Sequence, residues 1–431
     1  MRRTNGRVLA GALLAASIVV GPAVAPAAAD GSIRDDQWHL DAMRASEMWT
    51  TSTGQGITVA VIDTGAKFEH PDLAGQLLQG KDLSGSPGGV GFDSTGHGTG
   101  IASLIAGSGK GMGGKGAYGL APGAKVLPVK IKNGSEGGSV SSPVFLDQIG
   151  QAIDYAVDQG AKVINISQGT AAVATSPDDV AKLTAVLARA AAKGSLVVAS
   201  VGNSAQDGNL LEYPGGLPYV VGVGAVDKNL TTTAESQQGP QVDLVAPGMD
   251  IIGACTGPTG YCKSHGTSAA TALVSASAAL VWAVHTDWTA NQVLRVLINT
   301  AGKPTDGSSR NDNVGYGAVR PRIALTTPGD PGPADVYPIP SKTAPLSSAS
   351  PSSIATSAPG ASPAAATNGG SPEATPIADK ASDSGSAVLP IVIATGAGLV
   401  LMAGVVFFVV RKRSAAVKAA AYAPPGTPRV R

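Results

Sequence analysis

Charge and cysteine are both scarce in this sequence. Only 14% of its 431 residues are charged, and the formal net charge is +1. A balance so close to neutral gives no electrostatic basis for binding nucleic acid or an acidic partner. The chain has two cysteines and five histidines, and two cysteines without suitably spaced histidines make a poor zinc site. We therefore expect no nucleic-acid partner, no bound metal and no cofactor.

The N-terminus has the pattern of a secretory signal peptide. Three arginines among the first seven residues precede an apolar stretch at 8–20 and Ala27-Ala28-Ala29, a small-residue cleavage site. An uncleaved anchor is the alternative interpretation, but the apolar stretch is short and the cleavage site is well defined. We predict that residues 1–29 are removed and that the mature chain starts near Asp30.

A second apolar segment, without a charge, lies at 388–410 and is followed at once by Arg411-Lys412-Arg413. As a helix it would be roughly 35 Å long, enough to cross a hydrocarbon core of about 30 Å. By the positive-inside rule the tail 411–431 is cytoplasmic and everything before the helix lies outside, the orientation that a signal peptide also gives. A buried core helix is the alternative, but the neighbouring sequence offers nothing for it to pack against.

Residues 326–387 are dominated by Pro, Ala, Ser and Thr and contain almost no aromatic residue. Such a composition buries too little apolar surface to offset the entropy of ordering the chain, so we predict a disordered, extended stalk. Residues 30–325 are then left as one folded domain, near the upper size for a single core.

Strands and helices alternate along this domain. The alternation predicts an α/β fold with a mainly parallel central sheet between two layers of helices. In such sheets, functional side chains collect at the carboxyl ends of the strands. The predicted strands are 57–62, 162–167, 196–199, 220–226 and 242–245, and the predicted helices are 144–158, 179–193, 269–284 and one that ends near 298.

Three residues at such positions could act together. Asp63 follows an apolar strand, His97 lies between two glycines before a short apolar helix, and Ser268 opens the long apolar helix. Taken singly, each has an ordinary structural explanation, such as a turn residue or a helix cap. Together they supply what a serine nucleophile needs, a base to take its proton and a carboxylate to orient that base.

The motifs Asp63-Thr64-Gly65, His97-Gly98-Thr99 and Gly266-Thr267-Ser268 resemble, in this order, the three active-site motifs of subtilisin-type serine proteases. The resemblance covers residues 38–322. It implies a subtilisin-like fold and hydrolysis of peptide bonds through an acyl-enzyme. It also implies an oxyanion hole formed by the side chain of Asn203 and the backbone N–H of Ser268.

The same resemblance assigns the substrate-binding residues. Ser167, Gln168 and Gly169 match one wall of the substrate cleft, and Glu212 falls at the base of the primary specificity pocket. A carboxylate there predicts a preference for a basic P1 residue. The sequence departs from the family at Ala272, where the family usually has a proline near the start of the nucleophile helix.

The predicted location outside the cell bears on the two cysteines. Cys255 and Cys262 are close in sequence, so outside the cell we expect them to form a disulfide, with zinc binding as the weaker alternative.

The segment His70-Pro71-Asp72-Leu73 resembles one that often helps to bind calcium in the family. A complete set of ligands is lacking, and we predict no metal site.

The order of signal peptide, catalytic domain, stalk and membrane helix resembles that of mycosins, the membrane-anchored subtilases of type VII secretion systems. Ile33 to Leu40 would then be their short N-terminal extension. The alternatives are a degraded subtilase that stabilises a membrane secretion complex and a binding module on a stalk. Because Asp63, His97, Ser268 and Asn203 are all present, we favour the protease.

Overall fold

The computed structural model describes residues 31–132 and 140–343. The predicted signal peptide at 1–29, the membrane helix at 388–410 and the tail at 411–431 lie outside these residues, as does most of the predicted stalk. The described residues therefore comprise the predicted folded domain, apart from residue 30 and the gap at 133–139, and the first part of the predicted stalk.

Eleven strands are named in chain order in the described part of the chain. They are β1 (Thr58–Asp63), β2 (Lys81–Asp82), β3 (Lys125–Lys130), β4 (Val163–Ile166), β5 (Thr170–Ala171), β6 (Leu196–Ser200), β7 (Glu212–Tyr213), β8 (Val220–Val226), β9 (Leu244–Pro247), β10 (Ile251–Ala254) and β11 (Tyr261–Ser264).

Seven of these strands form the central sheet, in the order β2-β3-β1-β4-β6-β8-β9. The neighbouring strands pair in parallel. Two short antiparallel pairs, β5 with β7 and β10 with β11, lie outside the sheet. The predicted α/β class and the mainly parallel sheet are confirmed.

Helices cover both faces of the sheet. They are α1 (Trp38–Ala42), α2 (Ala45–Met48), α3 (His97–Ala106), α4 (Gly111–Gly114), α5 (Ser142–Asp158), α6 (Pro177–Ala192), α7 (Thr267–Val284), α8 (Ala290–Thr300) and α9 (Pro321–Thr326). One buried apolar cluster joins the sheet to α3, α7 and α8. A second cluster, with residues of α5 and α6, covers the opposite face.

Strand β3 is absent from the sequence-based prediction, although it lies between β1 and β2 in the sheet. Its sequence, Lys-Val-Leu-Pro-Val-Lys, has Pro128 in the middle. A proline cannot donate to a strand ladder and normally argues against a strand inside a sheet. Here Pro128 does not pair with β2, because β2 is only two residues long and pairs with Val129 and Lys130, after the proline.

Helix α7 runs through the centre of the domain. Within the described ranges it is the one helix long and apolar enough to cross a membrane, and 83% of it is buried inside the fold, as expected of a core helix. It begins at Thr267 and continues to Val284 with Ala272 fully buried in its second turn. The helix therefore forms without the proline that the family usually has.

The segments at both ends of the domain pack against it. Near the N-terminus, the side chain of Gln37 is buried and bonds to backbone groups of Tyr118 and Ile252 at 2.8–3.0 Å. Near the C-terminus, residues 327–343 lie against the domain, beyond the boundary predicted at 325. Composition alone did not show this, because the partners of that segment are distant in sequence.

Candidate active site

Asp63 and His97 are in direct contact at the carboxyl edge of the sheet. Asp63 is the last residue of β1, and its side chain is 1% exposed. Its Oδ1 lies 2.7 Å from Nδ1 of His97 and accepts a 2.8 Å hydrogen bond from the backbone N–H of Thr64. A carboxylate held in this way fixes the imidazole tautomer that carries its proton on Nδ1, which leaves Nε2 unprotonated.

His97 is held by the start of helix α3. The buried carboxylate of Asp93 accepts from the backbone N–H groups of Gly96 and Thr99, at 2.9 and 2.8 Å, and so caps the first turn. Gly98 allows the helix to approach the turn after Asp63, because a Cβ at this position would collide with the carbonyl oxygen of Gly65. Asp93 was not identified from the sequence, although an acid at the start of a helix is a recognisable capping signal.

The pKa of His97 is raised above its ordinary value. Burial by itself disfavours the imidazolium, but the charge of Asp63, its hydrogen bond and the charge of Asp93 outweigh that effect. The imidazole is nevertheless reachable, since 36% of its side chain is exposed. This is the combination that a general base needs, with a stabilised imidazolium and access to substrate.

Ser268 lies in the first turn of α7, and buried polar contacts fix that turn. Ser275 in α7 donates to the side chain of Asn165 in β4 at 2.9 Å, and Asn165 donates to Ser167 Oγ at 3.0 Å. Ser167 Oγ in turn donates to the backbone carbonyl of Ser268 at 3.1 Å. The network fastens the start of the helix to the carboxyl end of a sheet strand.

The hydroxyl of Ser268 donates to the backbone carbonyl of Ser167 at 3.1 Å. Among the described residues, no hydrogen bond joins it to His97. Both residues line the same cleft.

Asn203 follows β6, and its amide is oriented by the first turn of α7. Its Oδ1 accepts from the backbone N–H and the hydroxyl of Thr267, at 2.8 and 3.0 Å. Among the described residues the amide nitrogen Nδ2 has no hydrogen-bond partner, and Asn203 and Ser268 line the same cleft.

Gln168, predicted as a wall of the cleft, also contacts the Asp63–His97 pair. Its Nε2 lies 3.2 Å from Asp63 Oδ1 and 3.2 Å from His97 Nδ1. Since Nδ1 carries a proton toward Asp63, it cannot accept one, and the hydrogen bond must go to the carboxylate. This second contact was not visible in the sequence, where a glutamine after a strand carries no signal of it.

Glu212 lies in a cavity of about 450 Å³ together with His97, Gly169 and Ser268. Burial raises the pKa of its carboxyl, although hydrogen bonds from Ser204 and Gln237 act in the opposite direction. Gly202 leaves room for this side chain, because a Cβ there would lie 2.6 Å from the Glu212 carboxyl group. The predicted catalytic, oxyanion-hole and substrate-binding residues other than Asp63 thus line one cleft, and Asp63 contacts it through His97.

The disulfide predicted between Cys255 and Cys262 is present and closes the β10–β11 hairpin. Both half-cystines line a second, small cavity of about 80 Å³, which also contains His97 and Ser268. The hairpin therefore forms a further wall beside Ser268.

The predicted absence of a metal concerns the segment around Asp72. Its buried carboxylate accepts from the backbone N–H groups of Gly111 and Ala117, at 2.6 and 2.9 Å. His70 binds the carbonyl of Gly260 at 2.8 Å. These contacts give both side chains structural partners. Within residues 31–132 and 140–343, no three or more His, Cys, Asp or Glu side chains are grouped so that they could hold a metal ion. The absence of a metal site stays a prediction.

A parallel sheet with Asp, His and Ser at its carboxyl edge, and an amide beside the serine, is the arrangement of a serine protease. Residues 54–318 match the Subtilase family, Peptidase S8, and the chain belongs to this family. It is a subtilisin-like serine endopeptidase.

Individual relatives agree with this assignment. Subtilisin Savinase of Lederbergia lenta is 37% identical over 250 residues, which are 58% of this chain and 84% of that protein. The structure of MycP1 from Mycobacterium smegmatis is similar with a TM-score of 0.62 at 26% identity, over 74% of this chain and 90% of that one. MycP3 protease from the type VII (ESX-3) secretion system gives 0.59 at 31% identity, over 70% and 90%. The resemblance to subtilases and to mycosins is confirmed.

Proposed function

We propose that Asp63, His97 and Ser268 are the catalytic triad of this protease. The observation that carries the proposal is the contact of 2.7 Å between His97 Nδ1 and Asp63 Oδ1, in a cleft that Ser268 also lines. Nε2 of His97 would take the proton of the Ser268 hydroxyl as Oγ attacks the scissile carbonyl. The imidazolium then gives this proton to the leaving amine, and water hydrolyses the acyl-enzyme by the same route.

The negative charge that develops on the carbonyl oxygen needs donors placed in advance. The backbone N–H of Ser268, at the N-terminal end of α7, supplies one, and Nδ2 of Asn203 supplies the other. The contact between Asn203 Oδ1 and Thr267 supports this role, because it holds the amide with its nitrogen available. Preorganised donors of this kind contribute more to catalysis than equally strong contacts to the substrate ground state.

The substrate is a protein or peptide with a basic P1 side chain. Glu212 places a carboxylate in the cavity next to Ser167, Gln168 and Gly169, the residues proposed to line the substrate cleft. Its partners, Gln237 Nε2 at 2.9 Å and Ser204 Oγ at 3.4 Å, are neutral. A lysine or arginine ammonium or guanidinium entering the cavity would therefore supply the missing positive charge.

The protease acts at the outer face of a membrane, with residues 1–29 as a cleaved signal, 388–410 as a single membrane helix and 411–431 in the cytoplasm. The composition of these segments supports this topology. Similarity to MycP1 from the ESX-1 and MycP3 from the ESX-3 type VII secretion systems supports a role beside such a system. The described domain, residues 31–343, is then extracytoplasmic, where its disulfide is stable.

Three assays test these statements separately. Full-length protein should hydrolyse peptides with Lys at P1, and Ser268→Ala should lower kcat by about 10⁴–10⁶; equal turnover by the variant would remove Ser268 from the mechanism. Protease protection of intact host cells tests the topology, since a domain resistant to added protease would contradict an external location. Secretion by a Ser268→Ala host strain would separate proteolysis from any stabilising role in the secretion complex.

A further inference from the structure

Residues 327–343 form a segment, here called the C-terminal clasp, that is anchored at several points along the domain. Arg295 of α8 donates to the backbone carbonyls of Pro331 and Pro333, at 2.6 and 3.0 Å. The side chain of Asn291 binds the carbonyl of Ala334 at 2.9 Å. One end of the clasp is thus held by polar side chains of α8.

Apolar contacts continue along the clasp. Ile339 is 1% exposed and belongs to the buried cluster that includes α7. The ring of Tyr337 lies edge-on to that of Tyr219, with centroids 5.7 Å apart. Because Ile339 and Tyr337 pack against the domain, the clasp runs from its contacts with α8 to the start of β8.

At that end, the ammonium group of Lys342 is buried among four oxygens. It lies 2.8 Å from Asp243 Oδ2. It donates to the backbone carbonyls of Gly215, Val220 and Gln241, at 2.9, 3.0 and 3.1 Å. A buried ammonium persists only with an opposite charge and with acceptors for its N–H groups, and Lys342 has both. On the other side of the pair, Oδ1 of Asp243 is buried without a hydrogen bond among the described residues.

The oxygens around Lys342 belong to the sheet and to the segment that follows the cavity-lining residue Glu212. Gly215 follows the Glu212–Tyr213 strand, and Glu212 lines the cavity. Asp243 Oδ2 also accepts from the backbone N–H of Gly222 in β8, at 2.7 Å. One ammonium group therefore ties the cavity wall to the sheet, and Lys342 lies near the C-terminal end of the described residues.

We propose that Lys342 is a positioning residue for the substrate cleft, so that the C-terminal clasp sets the geometry of the wall at 212–217 and with it the side-chain selectivity of the protease. The inference rests on the proposed function, because it takes the cavity at Glu212 to bind a substrate side chain. Ser268 and His97 stand on α7 and α3, which the Lys342 ammonium does not touch. Selectivity should therefore depend on Lys342 more than the reactivity of Ser268 does.

The test compares full-length wild-type protein with the Lys342→Met variant. The control is Lys193→Met, a change at an exposed lysine after α6. Two quantities are measured, the rate of Ser268 labelling by a small fluorophosphonate and the ratio of kcat/KM for peptides with Lys at P1 to kcat/KM for peptides with Leu at P1. We expect Lys342→Met to be labelled within about threefold of the wild-type rate, while the P1 ratio falls roughly tenfold, mainly through KM. The control should change neither.

A folded Lys342→Met protein with an unchanged P1 ratio would overturn the inference. If this variant does not fold because Asp243 is left unpaired, the double variant Lys342→Met/Asp243→Asn removes both charges and should show the same loss of selectivity. Failure of the double variant to fold would also overturn the inference, since the pair would then only hold the domain together. Wild-type protein that is neither labelled nor active would contradict the proposed function itself.

Discussion

Nδ1 of His97 lies 2.7 Å from Oδ1 of Asp63, a carboxylate whose side chain is 1% exposed. The two residues are 34 positions apart and come from different elements, the end of β1 and the start of α3. Their contact couples the protonation of the imidazole to the charge of a buried acid. The pH dependence of the enzyme is therefore set by this pair.

Activity should rise with pH through the pKa of His97, because the base works only as the neutral imidazole. That pKa lies above the ordinary value for histidine, so the acid limb of the kcat/KM profile should also lie above it. In Asp63→Asn the charge and the charged hydrogen bond of Asp63 are gone, and only the charge of Asp93 still raises the pKa. Burial, which lowers the pKa, is the larger of the two remaining effects, so the pKa should fall below the ordinary value. An NMR titration of the His97 ring measures this directly.

The exposed Asp178→Asn variant is the control for that titration, and its His97 pKa should match the wild type. In kinetics, Asp63→Asn should lose about 10⁴ in kcat through the wrong tautomer. An unchanged pKa in Asp63→Asn would show that the pair does not govern the imidazole.

Replacement of Asn203 tests the second oxyanion donor. Asn203→Ala should lower kcat about 10²–10³-fold with little change in KM, because the lost hydrogen bond matters mainly in the transition state. Asn229, exposed on the loop after β8, provides the matched Asn229→Ala control, which should retain full activity. A loss that appears in KM alone would instead assign Asn203 to ground-state binding.

Glu212→Gln should abolish the preference for a basic P1 residue. The change keeps the shape of the side chain and removes its charge, so kcat/KM for P1 Lys should fall roughly tenfold or more relative to P1 Leu. In the wild type this preference should weaken as the pH falls, and at a higher pH than for an ordinary glutamate, since burial raises the pKa of Glu212.

The exposed Glu69→Gln variant serves as the control for Glu212. If wild-type protein cleaves P1 Lys no better than P1 Leu at neutral pH, the assignment of Glu212 is wrong, although the triad is unaffected.

The disulfide should contribute to stability rather than to chemistry. Cys255 and Cys262 are seven positions apart, and closing so short a loop stabilises a protein by about 2–3 kcal/mol in the chain-entropy model. The double variant Cys255→Ser/Cys262→Ser should unfold at a lower denaturant concentration, with fluorophosphonate labelling retained under native conditions. Equal midpoints for variant and wild type would contradict this contribution.

Sequence predicted the fold best where local pattern and tertiary environment agree. Strand β8 at Val220–Val226 and the capping box of α8 were found because continuous apolar runs and helix caps are local signals. Strand β3 was missed because Pro128 argues against a strand inside a sheet, which is where β3 lies. The clasp was predicted to be disordered because its composition is unfavourable, while the groups that bind it, such as Arg295 and Asp243, are distant in sequence.

The site shows the same division. Asp63, His97, Ser268, Asn203 and Glu212 are carried by motifs that a single sequence displays, and the structure brings Asp63 against His97 beside the cleft that the other four line. The contacts that hold them were invisible beforehand. Asp93 caps the helix of His97, and Gln168 donates to Asp63. Such supporting contacts depend on three-dimensional proximity, which motif spacing does not encode.

The central claim is that Ser268 is a nucleophile activated by His97. The most direct measurement is to treat full-length protein with a fluorophosphonate and to locate the adduct by peptide mass spectrometry. The account predicts one adduct, on Ser268, with a labelling rate that rises with pH through the His97 pKa and is lost in His97→Ala. An unmodified Ser268, or an adduct that forms equally fast in His97→Ala, would contradict it.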